Sequence, residues 1–365
     1  MICDMKILIV LNEIKCSGVS KIVCWLSNSL SEKGNDVFLY TFMGDEDFYN
    51  VNSSVVRIKD KITVNNRLIR TWRLINRLKK LYKEEKIDVA VAFSPITALA
   101  VIVSCIGKKT KSVVAERNDP YLDKSTVATF CRKIYRFADG AVFQSKGAAG
   151  YFSKKLQDKS VVIFNPVSPN EIIHEYSQRK QKLIHISRLE IKQKRQDVLL
   201  KAMKKINASI PKVELEIYGD GNALYELTQL SKEMNLTDTV HFCGETKRPG
   251  EVLQSGRLFI FTSDFEGMPN VLLEAMACGT PIVTTDYSPG GAYELVVENK
   301  CGFVCERGNE QALAECVISL INNDSLLTEM SANALLNVKK YYPENIIILW
   351  EQFLSNIVSG IKLGS

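Results

Sequence analysis

The stretch from Arg257 to Thr284 leaves this chain little freedom in how it folds. Arg257 to Phe261, RLFIF, is a short apolar run with the pattern of a buried strand. Ser263-Asp264-Phe265-Glu266-Gly267 breaks it. Pro269 suits the first turn of a helix, where its missing N–H costs nothing. Val271 to Cys278 continues that helix, Gly279 fits its C-terminal cap, Pro281 stops it, and Ile282 to Thr284 begins another strand. Strand, helix, strand is the unit of a parallel, doubly wound sheet. The start of the chain repeats it: strand Lys6 to Leu11, a loop from Asn12 to Ser17, a helix Val19 to Lys33 opened by Gly18 and closed by Gly34, and strand Val37 to Phe42. No GxGxxG accompanies this unit, which argues against a dinucleotide cofactor.

With 365 residues there is room for two domains of ordinary size, and 46% apolar residues can fill two cores. Asn165-Pro166-Val167 reads as the link, since Pro166 and Pro169 restrict the backbone and end a strand. After Ile321 the chain reads helix on helix. Pro343 sets off a last helix, Glu344 to Val358, whose Ile346, Leu349, Trp350, Phe353 and Ile357 form one apolar face. The expected fold class is α/β: two doubly wound, Rossmann-like domains, residues 1–166 and 167–343, with 344–365 packing back on the first.

Two carboxylates frame the helix after RLFIF. Glu266 stands at its mouth and Glu274 about two turns in. Between them, the backbone of Gly267, Met268, Pro269, Asn270 and Val271 leads into the positive end of the helix, a ready anion site. A carboxylate beside an anion site makes sense when it grips hydroxyls, so the pair points to a ligand with both phosphates and sugar hydroxyls: a nucleotide sugar. Upstream, strand KLIHIS (Lys182 to Ser187) ends at Arg188, and Lys192, Lys194 and Arg195 follow before a helix from about Gln196. Two cations at such a turn can neutralise a diphosphate, each charge-assisted bond contributing about 1.5–3 kcal/mol. Either Lys192 or Lys194 can serve as the second.

The Glu266-x7-Glu274 pair within EGMPNVLLEAMACGTPIV, together with Arg188 and Lys194, resembles the signature of the retaining glycosyltransferases of the GT-B group called family 4, or glycosyl transferases group 1, of the type that builds bacterial surface polysaccharide. The resemblance is strongest from Ile186 to Glu298. It implies two Rossmann-like domains facing across a cleft, with donor contacts from Gly18, Gly267 to Val271 and Glu274. Glu266 would orient the donor sugar, Glu274 would hold the ribose, and Arg188 and Lys194 would take the leaving diphosphate in place of a metal. Lys194 matches the family spacing through the following RQDVLLKA, although Ser187 stands where glycine is usual and only Gly18 remains of a double glycine. Glu116, Arg117 and Asn118, at the end of strand Val113 to Ala115, fall where relatives place acceptor contacts; a turn held by Asp119-Pro120 explains the same residues. The implied reaction moves a hexose or N-acetylhexosamine from a nucleotide sugar, UDP-linked by preference, to a lipid-diphosphate-linked glycan in O-antigen, capsule or lipopolysaccharide synthesis, with no cofactor and no metal.

Charge is divided unevenly. Through Asn165 there are 27 Lys/Arg against 16 Asp/Glu, and after it 20 against 25, so the basic half is the one expected to meet an anionic partner. Arg67 to Tyr82, RLIRTWRLINRLKKLY, is amphipathic and basic, with Leu68, Trp72, Ile75 and Tyr82 at helical spacing and Leu78 near them. It either packs on the sheet or lies on anionic lipid headgroups, a peripheral place on the inner face of the plasma membrane. The uncharged run Val89 to Gly107 is divided by Ser94-Pro95 and reads as strand, loop and helix, not as a membrane span. Ten cysteines without a CxxC pair fit a reducing cytoplasm, and Cys3, Cys24, Cys105 and Cys278 read as buried apolar residues. His241, between Val240 and Phe242, reads as a packed histidine. Asp45-Glu46-Asp47 is formally a metal-binding DxD but reads as a solvated loop. No aromatic-studded nucleic-acid motif appears. The rival readings are a nucleotide-sugar epimerase or phosphorylase on the same architecture, and a non-catalytic basic membrane-binding module.

Overall fold

The computed structural model describes residues 4–44, 46–170 and 175–361. The chain divides into two compact units, Met1–Asn165 with Glu344–Ser365, and Pro166–Pro343.

The first unit is built on a seven-stranded, wholly parallel sheet in the order β3-β2-β1-β4-β5-β6-β7. Its strands are β1 (Lys6–Leu11), β2 (Asp36–Thr41), β3 (Val56–Lys59), β4 (Val89–Ala92), β5 (Lys111–Ala115), β6 (Gly140–Phe143) and β7 (Ser160–Val162). All four residues of β4 are buried, as expected of a central strand covered on both faces. Ser94 then caps the helix Pro95–Cys105 in a reciprocal capping box with Thr97, and Pro95 occupies the first turn. No helix among the described residues is long and apolar enough to cross a membrane. The last helix, Pro343–Ser359, belongs to this unit from Glu344 on. Trp350 stacks on Phe93, 6.1 Å between centroids, and Gly140 leaves room for the helix: a Cβ there would lie 2.7 Å from Ile357 and 2.9 Å from Phe353.

The second unit holds a six-stranded parallel sheet in the order β10-β9-β8-β11-β12-β13. These are β8 (Lys180–Ile186), β9 (Glu214–Tyr218), β10 (Val240–Gly244), β11 (Gly256–Phe261), β12 (Ile282–Thr285) and β13 (Gly302–Cys305). The sequence reading misses β3 and β13, and both are edge strands of four residues, only partly buried: charges interrupt VRIK, and the apolar FVC of β13 is only three residues long.

Three expectations need correction. The buried row of the basic helix, Arg67–Glu85, is Leu74, Leu78 and Tyr82, whereas Leu68 and Trp72 are 82% and 64% exposed. At about 100° per residue, Trp72 lies on the far side of the helix from Leu74, so the expected stripe holds at Leu78 and Tyr82, with Ile75 partly buried, and fails at Leu68 and Trp72. His241 is exposed on the edge strand β10, not packed. Asp47 of the DxD is not merely solvated: it pairs with Arg57 at 2.8 Å and Lys59 at 3.0 Å, while Asp45 and, elsewhere, Cys3 and His174 lie outside the described residues.

Candidate functional site

In the second unit, β8 and β11 are neighbours, so the loops at their carboxyl ends meet, the usual place for a ligand in a parallel α/β sheet. The loop after β8 carries Arg188 and a single helical turn, Ile191–Lys194; the loop after β11 carries Glu266. Backbone and side chains stitch the two together. Asp264 N–H donates to Gln193 O at 2.8 Å, Gln193 Nε2 to Phe265 O at 3.0 Å, and Thr262 Oγ1 to Lys194 O at 2.8 Å.

Within this junction Lys194 Nζ lies 2.5 Å from Glu266 Oε1, which also accepts from Ser263 Oγ at 2.8 Å. The two side chains are only 13% and 9% exposed. The ammonium also sits 5.0 Å from the centre of the Phe261 ring, a cation–π approach on its apolar side. Arg188 is different: its side chain is 64% exposed and bonds Glu190 at 2.8 Å and Gln193 Oε1 at 3.2 Å. Lys192 is exposed.

Helix Asn270–Ala277 begins directly after the Glu266 loop. Pro269 stands at its N-cap, one position earlier than the sequence suggests, and has no side-chain acceptor for the first turn. Gly267, Met268, Asn270, Val271 and Glu274 are all partly exposed around this helix start. Across the junction, Gly219 and Gly221 let the turn after β9 press on the loop after β8. A Cβ at Gly219 would lie 1.9 Å from Ser187 O, and one at Gly221 2.2 Å from Leu189 O.

Sequence reasoning missed the brace around this loop. Arg195, held at φ +50°, bonds Asp264 at 2.9 Å and Asp197 at 3.0 Å, and Arg307 Nη1 donates to Asp264 O at 2.9 Å. Glu266 N–H donates to Ser288 O at 2.8 Å. Only a non-glycine residue forced to positive φ would have flagged Arg195, and sequence does not display φ.

Beneath the junction lies His185. Its Nδ1 is 2.9 Å from Ile260 O, so that nitrogen carries the proton, and Nε2 accepts from Ser187 Oγ at 2.7 Å. Ser187 Oγ accepts in turn from Gln196 Nε2 at 2.9 Å. Burial, with Lys194 nearby as a lesser cause, pushes the imidazole pKa down to about 4. An unfolded histidine titrates near 6.5, so between those values the unfolded chain binds a proton that the folded chain refuses. The stability from the neutral ring is present above about pH 6.5 and is lost as pH falls through 4, about 3 kcal/mol in all. Urea unfolding at pH 7, 5 and 4 should show this loss, and His185→Gln should flatten it; identical slopes in both proteins would refute the assignment.

In the first unit, Gly18 is exposed at the start of helix Gly18–Glu32, behind the N-cap Ser17. Two of the three acceptor-side candidates turn inward instead of toward a ligand. Glu116 is buried against Arg132 at 3.0 Å and accepts from Tyr135 OH at 3.3 Å. Arg117 lies between Phe93 and Trp350, 5.6 and 5.4 Å from their ring centres, and donates to Asn165 Oδ1 at 3.2 Å. Burial lowers its pKa to about 9. Of the three, only Asn118 is exposed.

Two parallel doubly wound sheets, one in each unit, are the architecture of the GT-B glycosyltransferases. Comparison with known proteins narrows the class. Residues 170–336 match the model for glycosyl transferases group 1 and residues 16–171 that for glycosyltransferase family 4, and the chain belongs to this family. An N-acetylgalactosaminyltransferase of Campylobacter jejuni, named for a substrate carried on undecaprenol diphosphate, is 25% identical over 362 residues, 97% of this chain and 99% of that one. Among solved structures, the lipopolysaccharide outer core galactosyltransferase WaaB superposes with a TM-score of 0.79 at 17% identity, over 98% of this chain and 99% of WaaB. Anabaena HepE in complex with UDP superposes at 0.77 with 20% identity, over 96% of this chain and all of HepE.

Proposed function

We propose that this glycosyltransferase moves a hexose or N-acetylhexosamine from a UDP-sugar, with retention at the anomeric carbon, to a lipid-diphosphate-linked glycan during synthesis of a surface polysaccharide. The observation that carries the reading is the Lys194–Glu266 pair in front of helix Asn270–Ala277. In the transition state the sugar gains positive character and the departing diphosphate negative charge. Lys194, Arg188 and the positive end of the helix stabilise the leaving charge. Glu266 orients the donor sugar and Glu274 grips the ribose. Asn118 is the acceptor-side candidate best exposed for contact, with Glu116 and Arg117 shaping the backbone beneath it. The names of the relatives support this choice of substrates: one acts on an undecaprenol-linked glycan, and another was solved with UDP.

The acceptor would be met at the inner face of the plasma membrane. The basic helix supports that place, because Leu68, Ile69 and Trp72 are exposed beside Arg67, Arg73 and Arg77, an arrangement suited to anionic headgroups. Transfer needs no metal in this reading. Asp47, the second acid of the formal DxD, is already paired with Arg57 and Lys59.

A panel of nucleotide sugars offered with a polyprenyl-diphosphate glycan tests the whole reading. The expected result is one UDP-sugar consumed only with acceptor present, a lengthened lipid-linked product of retained configuration, and a rate within twofold in excess EDTA. Epimerised donor without acceptor, or abolition by EDTA, would overturn it.

A further inference from the structure

At the amino ends of β4 and β5 the first unit carries a basic cavity that the transfer reaction leaves unused. The basic helix Arg67–Glu85 and the helix Pro95–Cys105 both end there, and β4 and β5 start there. Ligands of parallel α/β sheets bind at the opposite, carboxyl ends of the strands. The cavity measures about 570 Å³ and is rimmed by Lys79, Lys83, Lys86, Lys108, Lys109 and Lys111 over an apolar floor of Tyr82, Ile87 and Val358.

The rim is short of counter-charge. Lys111 approaches Asp139 at 3.8 Å, while the other five lysines have no carboxylate partner among the described residues. The one carboxylate that lines the cavity, Asp88, accepts the Lys6 backbone N–H at 2.8 Å. Lysines at helix C-termini ordinarily offset the helix dipole, about half a charge per helix and only within the last turn. Two helix ends and Asp88 together supply about two negative charges against six ammoniums, and Lys108, Lys109 and Lys111 lie beyond the helix in any case. About three to four positive charges are left facing one concavity, where like charge builds up the local potential and draws in counter-ions.

The geometry points to a second anion site here, one that takes a diphosphate group. Such a group carries three to four negative charges and matches the surplus, and lysine binds phosphate as a point charge. The diphosphate can be a soluble one or the headgroup of a lipid diphosphate, whose first apolar carbons would meet the floor.

Inorganic pyrophosphate titrated into the full chain by calorimetry, with UDP held at saturation, tests the site directly. A parallel arm measures flotation with phosphatidylcholine vesicles, with and without a polyprenyl diphosphate. Lys83, Lys108 and Lys109 are all exposed, so their replacement spares the core. The variant K83E/K108E/K109E should lose at least tenfold in diphosphate affinity, K83Q/K108Q/K109Q should lose less, and UDP affinity should stay within twofold. Loss in the pyrophosphate arm assigns a soluble ligand, and loss confined to the vesicle arm assigns the lipid. Equal binding by wild type and both variants, or no binding by wild type in either arm, overturns the site. Because UDP binding is read separately, failure of the donor assignment and failure of this site remain distinguishable.

Discussion

Replacing Glu266 by alanine should lower the turnover of sugar transfer at least ~10²-fold, the size expected when a positioning or charge-stabilising group is lost. The loop itself should survive. Its shape is held by contacts that do not involve the Glu266 carboxylate: Arg195 to Asp264, Arg307 to Asp264 O, Gln193 to Phe265 O, and Glu266 N–H to Ser288 O. The lost turnover will then report on chemistry, and KM for the donor should change less than kcat if the carboxylate acts mainly in the transition state. Glu266→Gln separates charge from shape: its amide can still lie beside Lys194 and Ser263, so it should keep the melting temperature while remaining well below wild type in rate. A rate near wild type in Glu266→Ala, measured at saturating donor and acceptor, would remove Glu266 from the reaction.

The parts of the fold legible in the sequence are those decided locally. KILIVL, VAVA and RLFIF are central strands covered on both faces, so each reads as an unbroken apolar run. The edge strands VRIK and GFVC escape notice because an edge can be very short, and VRIK carries two charges besides. Helix 67–85 shows the intermediate case, since periodicity announces a helix but several apolar residues can define its stripe, and only the packed sheet chooses Leu74, Leu78 and Tyr82 over Leu68 and Trp72. At the candidate site the limit is distance along the chain. Lys194 and Glu266 are 72 residues apart, as no spacing rule predicts, and family resemblance alone suggested setting them side by side. The burial of Glu116 was hidden for the same reason: a carboxylate at the carboxyl end of a strand shows no sign in sequence of the Arg132 that a later helix sets against it. The Arg195–Asp264 brace had no signal at all, because either residue alone is an ordinary surface charge.

Lys194→Ala should weaken UDP binding by about ten- to hundredfold while leaving uridine nearly unchanged, the loss of one charge-assisted bond of about 1.5–3 kcal/mol. An ammonium has three N–H donors, and the one aimed at Glu266 leaves two for a diphosphate. A purely structural lysine makes a different prediction: uridine and UDP would weaken together, as the loop loosened. Arg188→Ala supplies an internal scale, because its guanidinium is mostly exposed and shared with Glu190, so its effect on UDP should be smaller. Lys192→Ala should have less effect than either. The double variant Lys194→Ala/Glu266→Ala closes the argument. If the pair matters only to each other, the second change should cost no further affinity or rate. If Lys194 holds phosphate and Glu266 the sugar, UDP binding by Glu266→Ala should stay close to wild type, and the double variant should combine the UDP defect of one with the turnover defect of the other.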